Sequence, residues 1–185
     1  MEQRRPTSSE IAAAVTRTTP DILAPGLKIL FCGINPGLYS AAIGHNFGRP
    51  GNRFWPTLYA AGITPHLFSP DEEHKLLDLG CGITNIVSRA TTAADELSRD
   101  ELIAGGKVLL KKVQHLQPRV LAVVGAGAYR TAFERPRAQV GRQPENLAGS
   151  VVWVLPNPSG LNAHYQIDRL AALFHEMSAF AYSIS

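Results

Sequence analysis

The chain has 185 residues, 45% hydrophobic and 18% charged, with a formal net charge of +3. That length suits one domain with one core. No apolar run approaches the roughly 20 residues that cross a bilayer. No leader pattern is visible at the N-terminus and no long run of like charge occurs, so a cytoplasmic protein with a mild bias toward anionic partners is expected.

Residues 1–20 are rich in Thr, Ser, Arg and Ala. They read as a flexible arm holding a short helix around Glu10–Val15, ahead of a single domain over 21–185. The run LKILFCG (27–33) is continuously apolar, as expected of a parallel strand buried on both faces. It ends in Gly33-Ile34-Asn35-Pro36-Gly37. Two readings stand for that ending. One is a tight strand-to-helix turn, with Pro fixing φ and Gly allowing positive φ. The other is a turn that holds free backbone N–H groups and the Asn35 amide out into a cleft. An amide donates and accepts at once, so it can hold a water or read a base edge.

The loop GHNFGRPGNRFW (44–55) sets a lone Phe47 among polar and small residues, with a helix expected from about Asn52. Phe47 is either an anchor for the loop or a stacking platform for a flat ligand. His45, Arg49 and Arg53 are placed to meet phosphates. Ser69-Pro70-Asp71-Glu72 is a capping box with Pro at the first helical position, and Gly80 closes that helix. CGITNIV (81–87) is a weaker strand candidate and contains Asn85. In TTAADELS (91–98), Asp95 precedes a second capping box, Ser98 to Glu101. That box opens a helix with the apolar stripe Leu102, Ile103, Leu109, Leu110, Val113 and Leu116, stopped by Pro118 and weakened by Gly105-Gly106.

RVLAVVG (119–125) and VVWVLP (151–156) complete the apolar strands, and a last helix carries Ile167, Leu170, Leu173, Phe174 and Met177 at helical spacing. VVGAGAYR (123–130) resembles the start of a dinucleotide fingerprint, but Arg130 stands where the third glycine belongs. Glu145 falls past Pro136 and Pro144, where no second strand is expected to end, so an ordinary strand–helix junction is the better account. In NPSGLN (157–162), Leu161 sits at the tip of a polar turn. It is either an unremarked exposed leucine or an apolar wedge for a base stack. Cys32 and Cys81 cannot supply a four-cysteine zinc or iron–sulfur site and their spacing matches no metal motif, the six histidines show no ligand spacing, and no nucleophile elbow occurs. Strands alternating with helices predict an α/β sandwich with a mostly parallel sheet and a site at the strands' carboxyl ends.

Taken together, GINPG, the GxNFxxPxNRFW loop and NPSGLN resemble the mismatch-specific uracil-DNA glycosylases, bacterial relatives of thymine-DNA glycosylase, over roughly 21–180. The resemblance implies a three-layer α/β/α sandwich around a short central sheet. It implies a monomeric, monofunctional enzyme, without cofactor or metal, that acts on double-stranded DNA. Such an enzyme flips uracil out of G·U mismatches, with ethenocytosine a related substrate, and leaves an abasic site. Asn35 would position the attacking water. Phe47 would stack on the base, with backbone amides near Ile34 and Phe47 on its edge and Ser40 near its C5. Asn157 and Ser159 would line the sugar and phosphate side. Leu161 would be the wedge, with Gly160 and Asn162 facing the orphaned guanine. The chain departs from the family at Ala163-His164, where a basic residue is usual. Asn85 could add a base contact. Asp95 is either a solvated residue near a helix start or a second water-activating group.

Overall fold

A computed structural model describes residues 4–185. Five strands form one sheet: β1 Ile29–Gly33, β2 Cys81–Asn85, β3 Val120–Val124, β4 Gly141–Leu147 and β5 Ser150–Leu155. Their spatial order is β2-β1-β3-β5-β4. The first four positions are parallel, and β4 joins antiparallel at the edge. Among the described residues six α-helices accompany them: α1 Ser8–Ala13, α2 Leu38–Ile43, α3 Phe54–Ala60, α4 Arg99–Leu116, α5 Ala126–Ala132 and α6 Ile167–Ser183.

Each interior strand splits its side chains between two cores, because successive residues point to opposite faces. Ile29 and Phe31 join Phe54, Leu58, Leu76, Phe174 and Met177 beneath α3 and α6. Leu30 and Cys32 join Leu109, Val113 and Tyr129 beneath α4 and α5. This is the expected α/β/α sandwich. Each fully buried Leu, Ile or Phe contributes about 1.5–3 kcal/mol of transfer free energy. The two thiols are fully buried and unpaired. Burial raises the Cys32 pKa, and it pushes Cys81 up to about 11, so both remain protonated.

Gly105-Gly106 does not interrupt α4. A Cβ on Gly105 would sit 2.3 Å from the Ile86 carbonyl, and one on Gly106 2.7 Å from that of Ala132. The glycines let α4 lie directly on the chain leaving β2 and on α5. The helix opened by the Ser69 capping box is a 3-10 helix, Pro70–Leu79, closed by Gly80 at φ +71°. The expected start of α3 near Asn52 moves to Phe54, whose N–H is taken by the Asn52 side chain at 2.9 Å.

The short helix expected around Glu10–Val15 is α1, at Ser8–Ala13, capped by Thr7 and Glu10 and followed by a 3-10 turn over Ala14–Thr16. Ala14 is buried against Ala41 and Ala90. The region around Glu145 holds a strand after all. β4 escapes periodicity because it is a polar edge, shifts register between Arg142 and Asn146, and carries Pro144 where an interior strand could not. Glu145 binds the Tyr129 hydroxyl at 2.9 Å and pairs with Arg135.

Candidate active site

The sheet order changes direction at β1, since β2 lies on one side of it and β3 on the other. Open α/β sheets bind ligands in the crevice beyond such a point. Here the crevice is a cleft of about 350 Å³. Ile34 and Asn35 enter it from β1, Val124 from β3, and Asn85 from β2. Ser40, Phe47, Asp95, Asn157, Ser159 and Leu161 also line it, so candidates from five separate segments converge. Gly160 and Asn162 lie in the same turn but do not line the cleft itself. A larger hollow of about 560 Å³ between 18–21 and α4 shares Thr19 and Asn85 with the cleft, but contains none of its other candidates.

Asn35 is held by chain that continues the β1–β2 pairing past the strand ends. Ile86 and Val87 donate to the carbonyls of Gly33 and Ile34, and Thr91 donates to that of Pro36. This run brings the Arg89 carbonyl to 2.9 Å and the Thr91 hydroxyl to 2.7 Å from Asn35 Nδ2. A carbonyl can only accept, which settles the amide's orientation. Its NH2 is committed to the protein. Its Oδ1 has no partner among the described residues and is left to accept from a ligand or water in the cleft.

Gly33 is demanded by packing. A Cβ there would lie 2.4 Å from Asn85 Oδ1 and 3.2 Å from the Phe47 ring. Phe47 itself stacks on Phe54 at 3.9 Å, with 17° between planes, and so offers its other face to the cleft. Its φ of +52° is a left-handed conformation that costs about 1–3 kcal/mol for a side chain of this kind. Two bonds over-determine it. Ser40 Oγ accepts from Gly48 N at 3.0 Å, and the fully buried Glu73 carboxylate accepts from Asn46 N at 2.9 Å. Glu73 also takes the Asn46 amide and His45 Nδ1, each at 2.9 Å.

His45 is therefore occupied with Glu73. Arg53 is occupied too: its guanidinium donates to the carbonyls of Asn162 at 2.8 Å and Tyr165 at 2.9 Å. Of the three residues expected to meet phosphates, only Arg49 is exposed at the cleft with no side-chain partner among the described residues.

Asp95 lies on a single 3-10 turn, Ala94–Glu96, exposed at the rim, and no hydrogen bond or ion pair engages it among the described residues. The turn is tied by Glu96 accepting from Ala93 N at 2.9 Å and by Arg89 Nη2 reaching the Glu96 carbonyl at 3.4 Å. Arg89 is braced in turn by Glu101, whose carboxyl it holds well below the ordinary range, at about 2, with help from the Ser98 backbone N–H. Leu161 is 77% exposed, at the tip of a turn closed by Asn157 Oδ1 accepting from Ser159 N at 3.0 Å.

Sequence reasoning missed Thr91 and Glu73. Thr91 stood in the segment quoted for Asp95, but only the continued pairing of 86–91 with 33–38 brings it to Asn35. Nothing in the sequence marks Glu73 beyond its place in the first turn of a capped helix.

A family model described as Uracil DNA glycosylase superfamily matches residues 20–177. Among solved structures, the fold is similar to the solution NMR structure of a "putative Uracil DNA glycosylase" from Methanosarcina acetivorans. The TM-score is 0.55 at 19% identity, over 87% of this chain and 97% of that one.

Proposed function

The chain belongs to the uracil-DNA glycosylase superfamily and is on that ground a DNA glycosylase; we propose that it is the mismatch-specific, monofunctional kind, removing uracil from G·U pairs and related lesions such as ethenocytosine. The observation that carries this reading is Asn35, its NH2 tied to Arg89 and Thr91 and its Oδ1 unpaired at the cleft. In that state the residue can accept a hydrogen bond from a water and aim it at C1′ of a flipped nucleotide, gaining proximity and orientation.

The flipped base stacks on the free face of Phe47. The C1′–N1 bond breaks, and its electron pair leaves with uracil as an anion while the sugar becomes oxocarbenium-like. Backbone N–H groups near Ile34 and Phe47 stabilise the charge that develops on the base. Water adds to C1′, and its proton passes to Asp95. That carboxylate supplies the basicity that an amide lacks. None of the described residues lining the cleft is lysine, which favours water over an amine as nucleophile. Asn85 reads the base edge. Ser40, buried under the loop, stands near C5 and hinders the methyl of thymine. Asn157 and Ser159 hold the sugar and phosphate side, and Leu161 fills the vacated stack, with Gly160 and Asn162 facing the guanine.

The test is a labelled duplex with one G·U pair, incubated without added metal and with protein in excess, then treated with alkali. A break at the uracil position is expected, and an intact strand would sink the reading. Under single-turnover conditions Asp95→Asn is expected to slow excision. An unchanged rate would rule out Asp95 as the proton acceptor.

A further inference from the structure

We propose that Arg53 is a positioning residue that locks the Leu161 turn to the Phe47 loop, so that base capture and wedge insertion occur on one rigid frame. The proposal rests on the glycosylase reading above and goes beyond it.

The two loops are joined at three levels. Arg53 N donates to the Pro158 carbonyl at 2.9 Å. The guanidinium spans the turn's far side, with Nη1 donating to the carbonyls of Asn162 at 2.8 Å and Tyr165 at 2.9 Å and Nη2 reaching that of Gly160 at 3.5 Å. Gly160 also packs so closely on the other loop that a Cβ would lie 2.5 Å from the Gly51 carbonyl. Arg53 meets no carboxylate among the described residues, so its fork is committed to loop carbonyls. Leu161 has little support of its own: it is 77% exposed, and the Leu161 N–H reaches Ser159 Oγ at 3.3 Å. A wedge entering a base stack must resist being pushed back while the pair opens, and opening costs a few kcal/mol. The clamp supplies that resistance. Lysine can replace it only in part, because a single ammonium does not span carbonyls set apart along a turn.

The experiment compares excision of uracil from a fully annealed G·U duplex with excision from a bubble in which the uracil is already unpaired, each across a salt series. For Arg53→Ala, duplex excision is expected to fall about 10- to 100-fold, the scale of a displaced positioning group. Bubble excision is expected to fall less than about threefold, since no pair has to be opened. The salt dependence of binding is expected to match wild type, because no phosphate contact is lost. Arg53→Lys retains the charge and the backbone bond, and is expected to show the same split in milder form. It keeps the test open if the alanine variant does not fold. Equal loss on both substrates, a shallower salt slope, or full rescue by lysine would overturn the proposal in favour of a phosphate contact or a general structural role. Wild-type protein that leaves uracil in both substrates would overturn the glycosylase reading and the clamp with it.

Discussion

Replacing Thr91 with valine tests how Asn35 is aimed. Thr91 is 3% exposed, and its Oγ1 accepts from Asn35 Nδ2 at 2.7 Å. Valine keeps the branched shape and removes only the hydroxyl, leaving the Arg89 carbonyl at 2.9 Å as the amide's one remaining partner among the described residues. A neutral hydrogen bond of this kind contributes about 0.5–1.5 kcal/mol net, so the fold is expected to lose about 1 kcal/mol in urea unfolding. The larger effect falls on the reaction. An amide held at one point can rotate, and misplacing a positioned group by about 1 Å costs on the order of 100-fold in rate. The lost bond alone accounts for roughly tenfold. Single-turnover excision from a G·U duplex is therefore expected to slow about 10- to 100-fold, with duplex affinity nearly unchanged. A Thr91→Val enzyme whose excision rate stays within about twofold of wild type, with the stability loss present, would refute the claim that this bond orients the amide.

Two further outcomes follow from the site's packing and charge. Gly33→Ala places a methyl 2.4 Å from Asn85 Oδ1 and 3.2 Å from Phe47, so it is expected to cost about 1–3 kcal/mol in denaturation and to weaken capture of the base on the displaced Phe47 wall. The Arg89–Glu101 pair gives a pH effect with a defined sign. The folded carboxyl, at about 2, lies below its ordinary value of 4.5, so its stabilisation is present above pH 4.5 and is lost as pH falls through about 2. Glu101→Gln should therefore narrow the gap in stability between neutral pH and pH 2, read by circular dichroism, while an unchanged acid profile would show the pair contributes nothing.

The parts of the fold legible in the sequence are those whose cause is local. β1, β3 and β5 read as apolar runs because both faces of each strand are buried. The Ser98 capping box forms as written, with Glu101 N donating to Ser98 Oγ, and at Ser69 the Glu72 carboxylate accepts from the Ser69 N–H, because each glutamate need only reach back one turn. β4 was hidden because an edge strand needs no apolar face, and Gly105-Gly106 looked like a weakness because its packing partners, Ile86 and Ala132, lie on other elements.

The same division runs through the site. Asn35, Phe47 and Leu161 stand at strand ends and turn tips, where a residue type out of place is visible. What orients them is long-range: Thr91 reaches Asn35 across 56 positions, Glu73 reaches Asn46 across 27, and Arg53 reaches Asn162 across 109. Read alone, Arg53 and His45 looked like cations available to phosphate. Only the folded chain shows that each already has a partner.

The most direct test of the whole account is single-turnover excision of uracil from a G·U duplex by Asn35→Ala, alongside its affinity for the same duplex. Removing the amide deletes the group that holds the water while leaving Phe47, Leu161 and Arg49 untouched. The expected result is excision reduced by at least about 100-fold with duplex binding retained. Excision close to the wild-type rate would contradict the central claim that the residue held out at the end of β1 directs the attacking water.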